Sequence, residues 1–262
     1  YHADNSLRLK TSSNDRLIID SSGNVGIGTT PETDGQAGSL YFTNGNANIW
    51  GSGNVNLYTV VNARYTGSAW KYNNTAVASY VGQQSGVWNF FNAPSGTADA
   101  TATFTERFRI DSSGAVTKPT SPAFAAHGSN AHTTISHSSS AVTVVFGTEL
   151  YDAGSNYNTS TSKFTAPVSG IYQFHVSLYI QLADHTDSSA YATLRWNKNG
   201  SSDNQGYRLL MYSNLGKDDH NHTDMMTYSL SANDYVTITL ESEDQDVLYY
   251  GGHCVFTGHL IG

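Results

Sequence analysis

The chain has 262 residues and a formal net charge of −8, with 24 glycines, 17 tyrosines, 5 prolines and one cysteine. Ser, Thr and Asn make up about 30 % of it, well above an ordinary globular mix, and helical Ala–Leu–Glu–Lys periodicity is nearly absent, so the expected class is all-β. No Lys/Arg run is present to displace counterions from phosphates, which excludes nucleic acid as a partner, and no apolar run approaches the roughly 18 residues a spanning helix needs. The length allows one large domain or two modest ones. The first residue is Tyr1 rather than Met, and we expect the C-terminal piece of a longer protein.

The first half carries an internal repeat. RLIIDSSGNV at residues 16–25 returns as RFRIDSSGAV at residues 107–116. Each copy reads as a short extended segment, an Asp-Ser-Ser-Gly turn and a second extended start. Asp can bond its own backbone and Gly accepts a positive φ, so the tetrapeptide is a turn signal. The glycines of GNVGIG at residues 23–28 invite a phosphate-loop reading, which the pattern rejects. Their order is not G-x-G-x-x-G, and Pro31 follows where a helix should begin. Between the copies, SLYFTNGNANIWGSGNVNLYTVV and SGVWNFFNAPSG read as short aromatic strands broken by Asn-Gly and Ser-Gly turns. Apolar residues are thin here, so an isolated copy is expected to bury too little surface, and several chains winding together would solve this.

The segment RLIIDSSGNVGIGTTPE resembles one that recurs in tail-fibre and other virion proteins of tailed bacteriophages. ARYTGSAWKYNN, GVWNFFNAPSGTA and FTERFRIDSSG resemble the shaft segments that accompany it, over roughly residues 14–118. The resemblance implies a virion context, an intertwined trimeric β-shaft over residues 1–118, and attachment to other tail proteins through a missing N-terminal part. TKPTSPAF then holds Pro119 and Pro122, which restrict the residues before them to extended conformations, and residues 119–121 read as a short linker.

Beyond it the alternation sharpens. Tyr172, Phe174, Val176, Leu178 and Ile180 share one face, as do Ala192, Leu194 and Trp196, and Asn199-Gly200 supplies a hairpin turn. Val236, Ile238 and Leu240 alternate with Thr237 and Thr239. Regular strands with turns between them indicate a β-sandwich or jelly roll. The order of residues resembles the C1q/TNF-like superfamily. Pro122-Ala-Phe124 opens the match, followed by Phe146, Tyr151-Asp-Ala-Gly154, Phe164-Thr-Ala-Pro167-Val-Ser-Gly170-Ile-Tyr172-Gln-Phe174, Leu194-Arg-Trp-Asn-Lys-Asn-Gly200 and Phe256-Thr-Gly258-His-Leu260. Asn233-Asp234 departs from the family's usual Gly-Asp, and no collagen stalk is present. The resemblance implies that residues 122–262 form a ten-stranded jelly-roll head packed as a homotrimer, without catalysis of its own. It assigns Phe124, Phe146, Phe164, Pro167, Gly170, Tyr172, Phe174, Phe256 and Gly258 to the core or the trimer interface.

The richest polar cluster runs from Lys217 through Asp218, Asp219, His220, Asn221 and His222 to Asp224, and is expected to be a loop. One reading is a solvated loop. Another uses spacing: in an extended segment His220 and His222 point the same way, and three copies about an axis would offer six imidazoles to a transition metal. Calcium is the other ion that heads of this type imply near their apex, and Asp184, His185 and Asp187 form a candidate turn for it. The loop together with Tyr207, Tyr212 and Tyr228 as stacking anchors is the expected receptor contact, toward a host-surface glycan or protein. His127, His132 and His137 read as ordinary surface histidines, His253 and His259 as interface residues, and Cys254 as a buried thiol. No paired carboxylates on a β-helix and no G-x-S-x-G are present, so the chain is not read as an enzyme. The expected function is trimerisation and attachment of a virion to its host. The alternatives are a purely structural registration module, or a C1q-type cell or spore surface protein.

Overall fold

A computed structural model describes residues 5–32, 38–42, 46–53, 55–129, 132–136, 140–182, 191–202, 207–210, 219–243 and 246–262. Apart from one 3-10 turn at Gly251–His253, the regular structure of these residues is strand throughout, so the all-β expectation holds. The chain divides into two compact units, Tyr1–Thr120 and Ser121–Gly262.

The N-terminal unit is one ten-stranded sheet whose strands follow each other in chain order, from Leu7–Thr11 to Val116–Thr117. Neighbours run antiparallel except Val25–Ile27 and Leu40–Phe42, which are parallel. A two-stranded hairpin, Ala63–Tyr65 with Trp70–Tyr72, leaves the sheet between the strands Asn56–Val61 and Ala76–Gln84. Period-two alternation places Trp50, Val60, Ala78, Tyr80 and Ala93 on the face against which Ala63 and Tyr72 of the hairpin pack, and these are buried. The opposite face leaves Leu57, Val61, Val77, Trp88 and Phe90 exposed. One chain therefore builds a small core on one side only.

Both copies of the repeat are turns of one kind. Asp20 Oδ1 accepts from the Ser22 and Asn24 amides, and Asp111 Oδ1 accepts from those of Ser113 and Ala115. The Gly23 and Gly114 amides donate to the Asp20 and Asp111 carbonyls, with φ of 80° and 88° that only glycine adopts freely. The first turn joins Asn14–Ile19 to Val25–Ile27 and the second joins Thr105–Ile110 to Val116–Thr117.

The C-terminal unit is a sandwich of two seven-stranded sheets. In the first, the 13-residue strand Gly170–Leu182 is central. Val255–Leu260 and Val247–Tyr250 pair along one side of it, and Asp219–Leu230 pairs along the other. Ala123–His127 extends the sheet beyond Val255–Leu260. The second sheet centres on Tyr235–Glu243 beside Tyr191–Lys198. The two sheets exceed the expected ten strands because segments such as Val142–Thr143 and Ser201–Ser202 pair for only two residues each.

The inward rows close a continuous core. Phe124, Phe146, Phe164, Tyr172, Phe174 and Phe256 are fully buried together with Trp196. Phe124 stacks on Phe164 at 5.0 Å and meets Phe256 edge-on at 4.9 Å. A Cβ on Gly258 would lie 2.5 Å from Phe174 Cδ1 and 2.7 Å from Phe124 Cε1, so only glycine fits under these rings. At Gly170 a Cβ would meet Leu260 Cδ1 at 2.7 Å. Pro167 is exposed in the single chain, in the turn before the central strand, and Ala166 beside it is buried. Cys254 is the expected buried thiol, with Sγ 3.2 Å from the Tyr250 carbonyl oxygen, and burial raises its pKa.

Candidate functional site

Residues 219–224 are strand and not loop. They begin the strand Asp219–Leu230, an edge of the first sheet, in unbroken register with the central strand from Gln181↔Asp219 to Gly170↔Leu230. Pairing fixes the faces. His220 lies beside Ile180, His222 beside Leu178, Asp224 beside Val176 and Tyr228 beside Tyr172, and all four central-strand partners are fully buried. His220, His222 and Asp224 therefore face the space between the sheets, while Asn221, Thr223 and Met225 face outward and are exposed.

Along the inward row the chemistry changes from apolar to polar. Leu230 and Tyr228 belong to the core, Met226 packs against it, and Asp224, His222 and His220 follow. Asp224 is tied on both oxygens: Oδ2 accepts from Trp196 Nε1 at 2.7 Å, bridging the two sheets, and Oδ1 accepts from the Met225 amide at 2.8 Å. His222 has its pKa lowered by burial, partly offset by the Asp224 charge. Nε2 of both histidines is buried with no hydrogen-bond partner among the described residues.

This geometry revises the expected site. The imidazoles turn into the sandwich, so they do not form an outward set of ligands about an axis. Asp224, the nearest carboxylate on their row, is already engaged. Among the described residues no group of three or more His, Cys, Asp and Glu lies close enough to hold a metal ion. Tyr228 is buried at 8 % exposure and packs against Phe174 at 6.3 Å, so it is a core residue rather than a stacking anchor. Asp219 and Tyr207 begin strands, with side chains outside the description. Tyr212, Lys217 and Asp218 lie outside the described residues, as do His137, Asp184, His185 and Asp187. His253 and His259 are exposed, and His127 is half-buried with Nδ1 2.6 Å from the Gly128 carbonyl oxygen.

The outer face of the first sheet has a different character. Its rows run Ala123–His259–Gln173–Thr227, Ala125–Thr257–His175–Met225 and His127–Val255–Ser177–Thr223. No Lys, Arg, Asp or Glu stands on these three rows, in a chain whose net charge is −8. The family model for the C1q domain matches residues 123–261, more than half of the chain. The chain belongs to the C1q domain family. Domains of this family are generally non-enzymatic binding or structural modules, typically self-associate as trimers, and usually occur in extracellular or secreted proteins. Among solved structures, the globular domain of zebrafish complement 1qA is 20 % identical, with a TM-score of 0.40 over 54 % of this chain and 98 % of that one. An Eiger TNF from S. frugiperda is 13 % identical, with a TM-score of 0.40 over 54 % and 94 %. Murine APRIL is 11 % identical, with a TM-score of 0.38 over 53 % and 98 %. No curated protein matches the chain significantly in sequence. No helix among the described residues is long and apolar enough to cross a membrane.

Sequence reasoning missed one constellation altogether. Trp50, Tyr58, Tyr65, Trp70 and Tyr80 of the N-terminal unit converge around a cavity. Period-two alternation places Trp50, Tyr58 and Tyr80 on one sheet face, but nothing local announces that the hairpin of Tyr65 and Trp70 folds over it.

Proposed function

We propose that the chain is the C-terminal part of a tailed-phage fibre. In this reading residues 1–118 are its shaft, residues 119–121 a linker and residues 122–262 a homotrimeric C1q-domain head that attaches the virion to a host-surface glycan or protein. One observation carries the assembly: three adjoining charge-free rows on the outer face of the first sheet, built by four strands of the C1q domain. Cores of protein interfaces are depleted of charge, and this acidic chain keeps those three rows neutral. The exposed apolar face of the N-terminal sheet supports self-association as well, since Leu57, Val61, Val77, Trp88 and Phe90 would be covered by neighbouring copies. The two Asp-Ser-Ser-Gly turns support the fibre context through their resemblance to virion proteins. A trimer displays every loop three times, so weak contacts to a surface add through multivalency.

The full chain, purified, should sediment as a trimer, bind cells of a susceptible host and compete with infecting phage. Gold-labelled antibody to the chain should mark the fibres of the particle. A folded trimer that neither binds nor competes removes the adhesive role and leaves a structural module. A monomer at micromolar concentration removes the assembly as well.

A further inference from the structure

We propose that the aromatic cavity of the N-terminal unit is a binding site for a neutral saccharide, separate from the C1q domain. The cavity holds about 290 Å³, at the lower end of the range of small-ligand sites and suited to one or two sugar rings. Its walls are two stacked pairs. Trp50 lies on Tyr58 at 4.2 Å and 19°, and Trp70 lies on Tyr80 at 4.8 Å and 13°. The two tryptophans touch at 6.1 Å with their planes inclined by 51°, Tyr65 stacks on Trp50 at 5.9 Å and Phe91 on Tyr80 at 4.5 Å, so the half-buried Tyr58, Tyr65 and Trp70 are the rings that offer surface to a ligand. Each ring is held by another, so the platform is rigid before a ligand arrives and little ordering is left to oppose binding.

Cross-strand register sets a glycine beneath these rings. Trp50 pairs with Tyr58, Tyr58 with Gly82 and Gly82 with Asn89, which forms one inward row across four strands. Gly82 brings no side chain to that row. A Cβ there would meet the Tyr80 and Tyr58 rings at 3.5 and 3.6 Å, and the flexible end of Gln84 at 3.2 Å. The next row, Ser52–Asn56–Gln84, brings the cavity's polar lining in Ser52 and Gln84.

The chemistry of the lining selects the ligand class. Aromatic faces are electron-rich and attract the C–H faces of a pyranose ring, while its hydroxyls seek donors and acceptors at the rim. Ser52 and Gln84 supply both kinds, and no charged residue among those described lines the cavity. Four buried polar atoms on the same sheet face have no partner among the described residues: Trp50 Nε1 at the cavity, and Asn48 Oδ1, Asn56 Oδ1 and Asn89 Oδ1 beyond its lining. Such atoms are rare in folded proteins and mark places where a ligand or its waters complete the structure. A quaternary ammonium centre, the other natural guest of an aromatic cage, offers no donor or acceptor and would leave Ser52 and Gln84 idle.

The test is a fluorescence and calorimetric titration of the full chain with a panel of neutral oligosaccharides of glucose, galactose, mannose and N-acetylglucosamine. We expect at least one to shift tryptophan emission saturably. Trp70→Ala, which removes a wall, and Gly82→Val, which crowds the Tyr58 and Tyr80 rings and Gln84 while keeping all three, should each weaken it at least about tenfold. Trp88→Phe, on the opposite face, should leave it unchanged. Choline chloride binding in place of every sugar overturns the ligand class. An unaltered affinity in both Trp70→Ala and Gly82→Val overturns the location, and the absence of any saturable response overturns the site. Host-cell binding retained by Trp70→Ala together with a flat sugar titration would defeat this inference while leaving the adhesive role intact.

Discussion

The two units of this chain solve the burial problem in opposite ways. In the C1q domain every inward row meets another row: the central strand's Tyr172, Phe174, Val176, Leu178 and Ile180 are fully covered by the second sheet. The N-terminal unit has one sheet and a hairpin, so one face acquires the small core around Trp50 and Tyr80 while the other keeps Trp88 and Phe90 at 46 % and 39 % exposure. The difference lies in connectivity. A meander in chain order stays in one layer, whereas the sandwich sends the chain between two layers and closes on itself. A closed domain takes most of its stability from its own residues. A one-sided sheet depends on what covers it.

The largest effect that would test this contrast is Trp196→Ala. Trp196 is 1 % exposed, and its indole N–H holds Asp224 across the sheets. Truncation removes a large buried ring, leaves a cavity and strands one carboxylate oxygen, and should cost about 3–5 kcal/mol. Denaturant unfolding followed by circular dichroism should show the C1q domain melting early while the transition of the N-terminal unit stays in place. A shared shift of both transitions would mean that the units are one cooperative body, and the contrast would fail.

What could be read in the sequence followed the same divide. The sandwich was legible because its strands alternate cleanly: Tyr172 and Phe174 are buried as their alternation implies, and Phe124, Phe164 and Phe256 as the C1q/TNF-like resemblance implies. The repeated turn was legible because Asp and Gly act within five residues of each other. The site was far less so. Polar residues from His220 to Asp224 look like a loop because strand patterns are recognised by apolar alternation, and here the inward positions are His, His and Asp. Tyr228 looked like a surface anchor for the converse reason, since a tyrosine row cannot reveal which face is covered. The aromatic cavity depends on a hairpin returning over a distant sheet face, a contact no local pattern encodes.

A smaller effect probes the uncovered face. In an isolated chain, Trp88→Ser and Phe90→Ser are surface changes that shift stability by no more than about 0.5 kcal/mol each. Where neighbouring copies cover that face, each removes a buried aromatic contact and should cost about 2 kcal/mol or more. It should also make the N-terminal transition depend on chain concentration. Melting the paired variants over a hundredfold range of concentration separates the cases, and a concentration-independent change within the surface range would leave the sheet uncovered in solution.

The smallest effect lies at the polar end of the closed domain. Burial makes the His222 imidazolium less favourable in the folded chain, and Asp224 only partly compensates, so its folded pKa lies below the ordinary 6.5. Above 6.5 both states carry the neutral ring and its contribution is complete. As pH falls below 6.5 the unfolded chain takes up the proton first, and stability is lost until the folded pKa is passed. His222→Leu removes the proton site and pairs an apolar residue with Leu178 on the inward row. Urea midpoints measured at about pH 8 and about pH 5 should therefore fall further for the native chain than for His222→Leu. Equal losses in the two proteins would place the acid sensitivity elsewhere. A larger loss in the variant would mean that the imidazole gains rather than loses by burial, and that the inward polar row is stabilised by a positive charge beside Asp224.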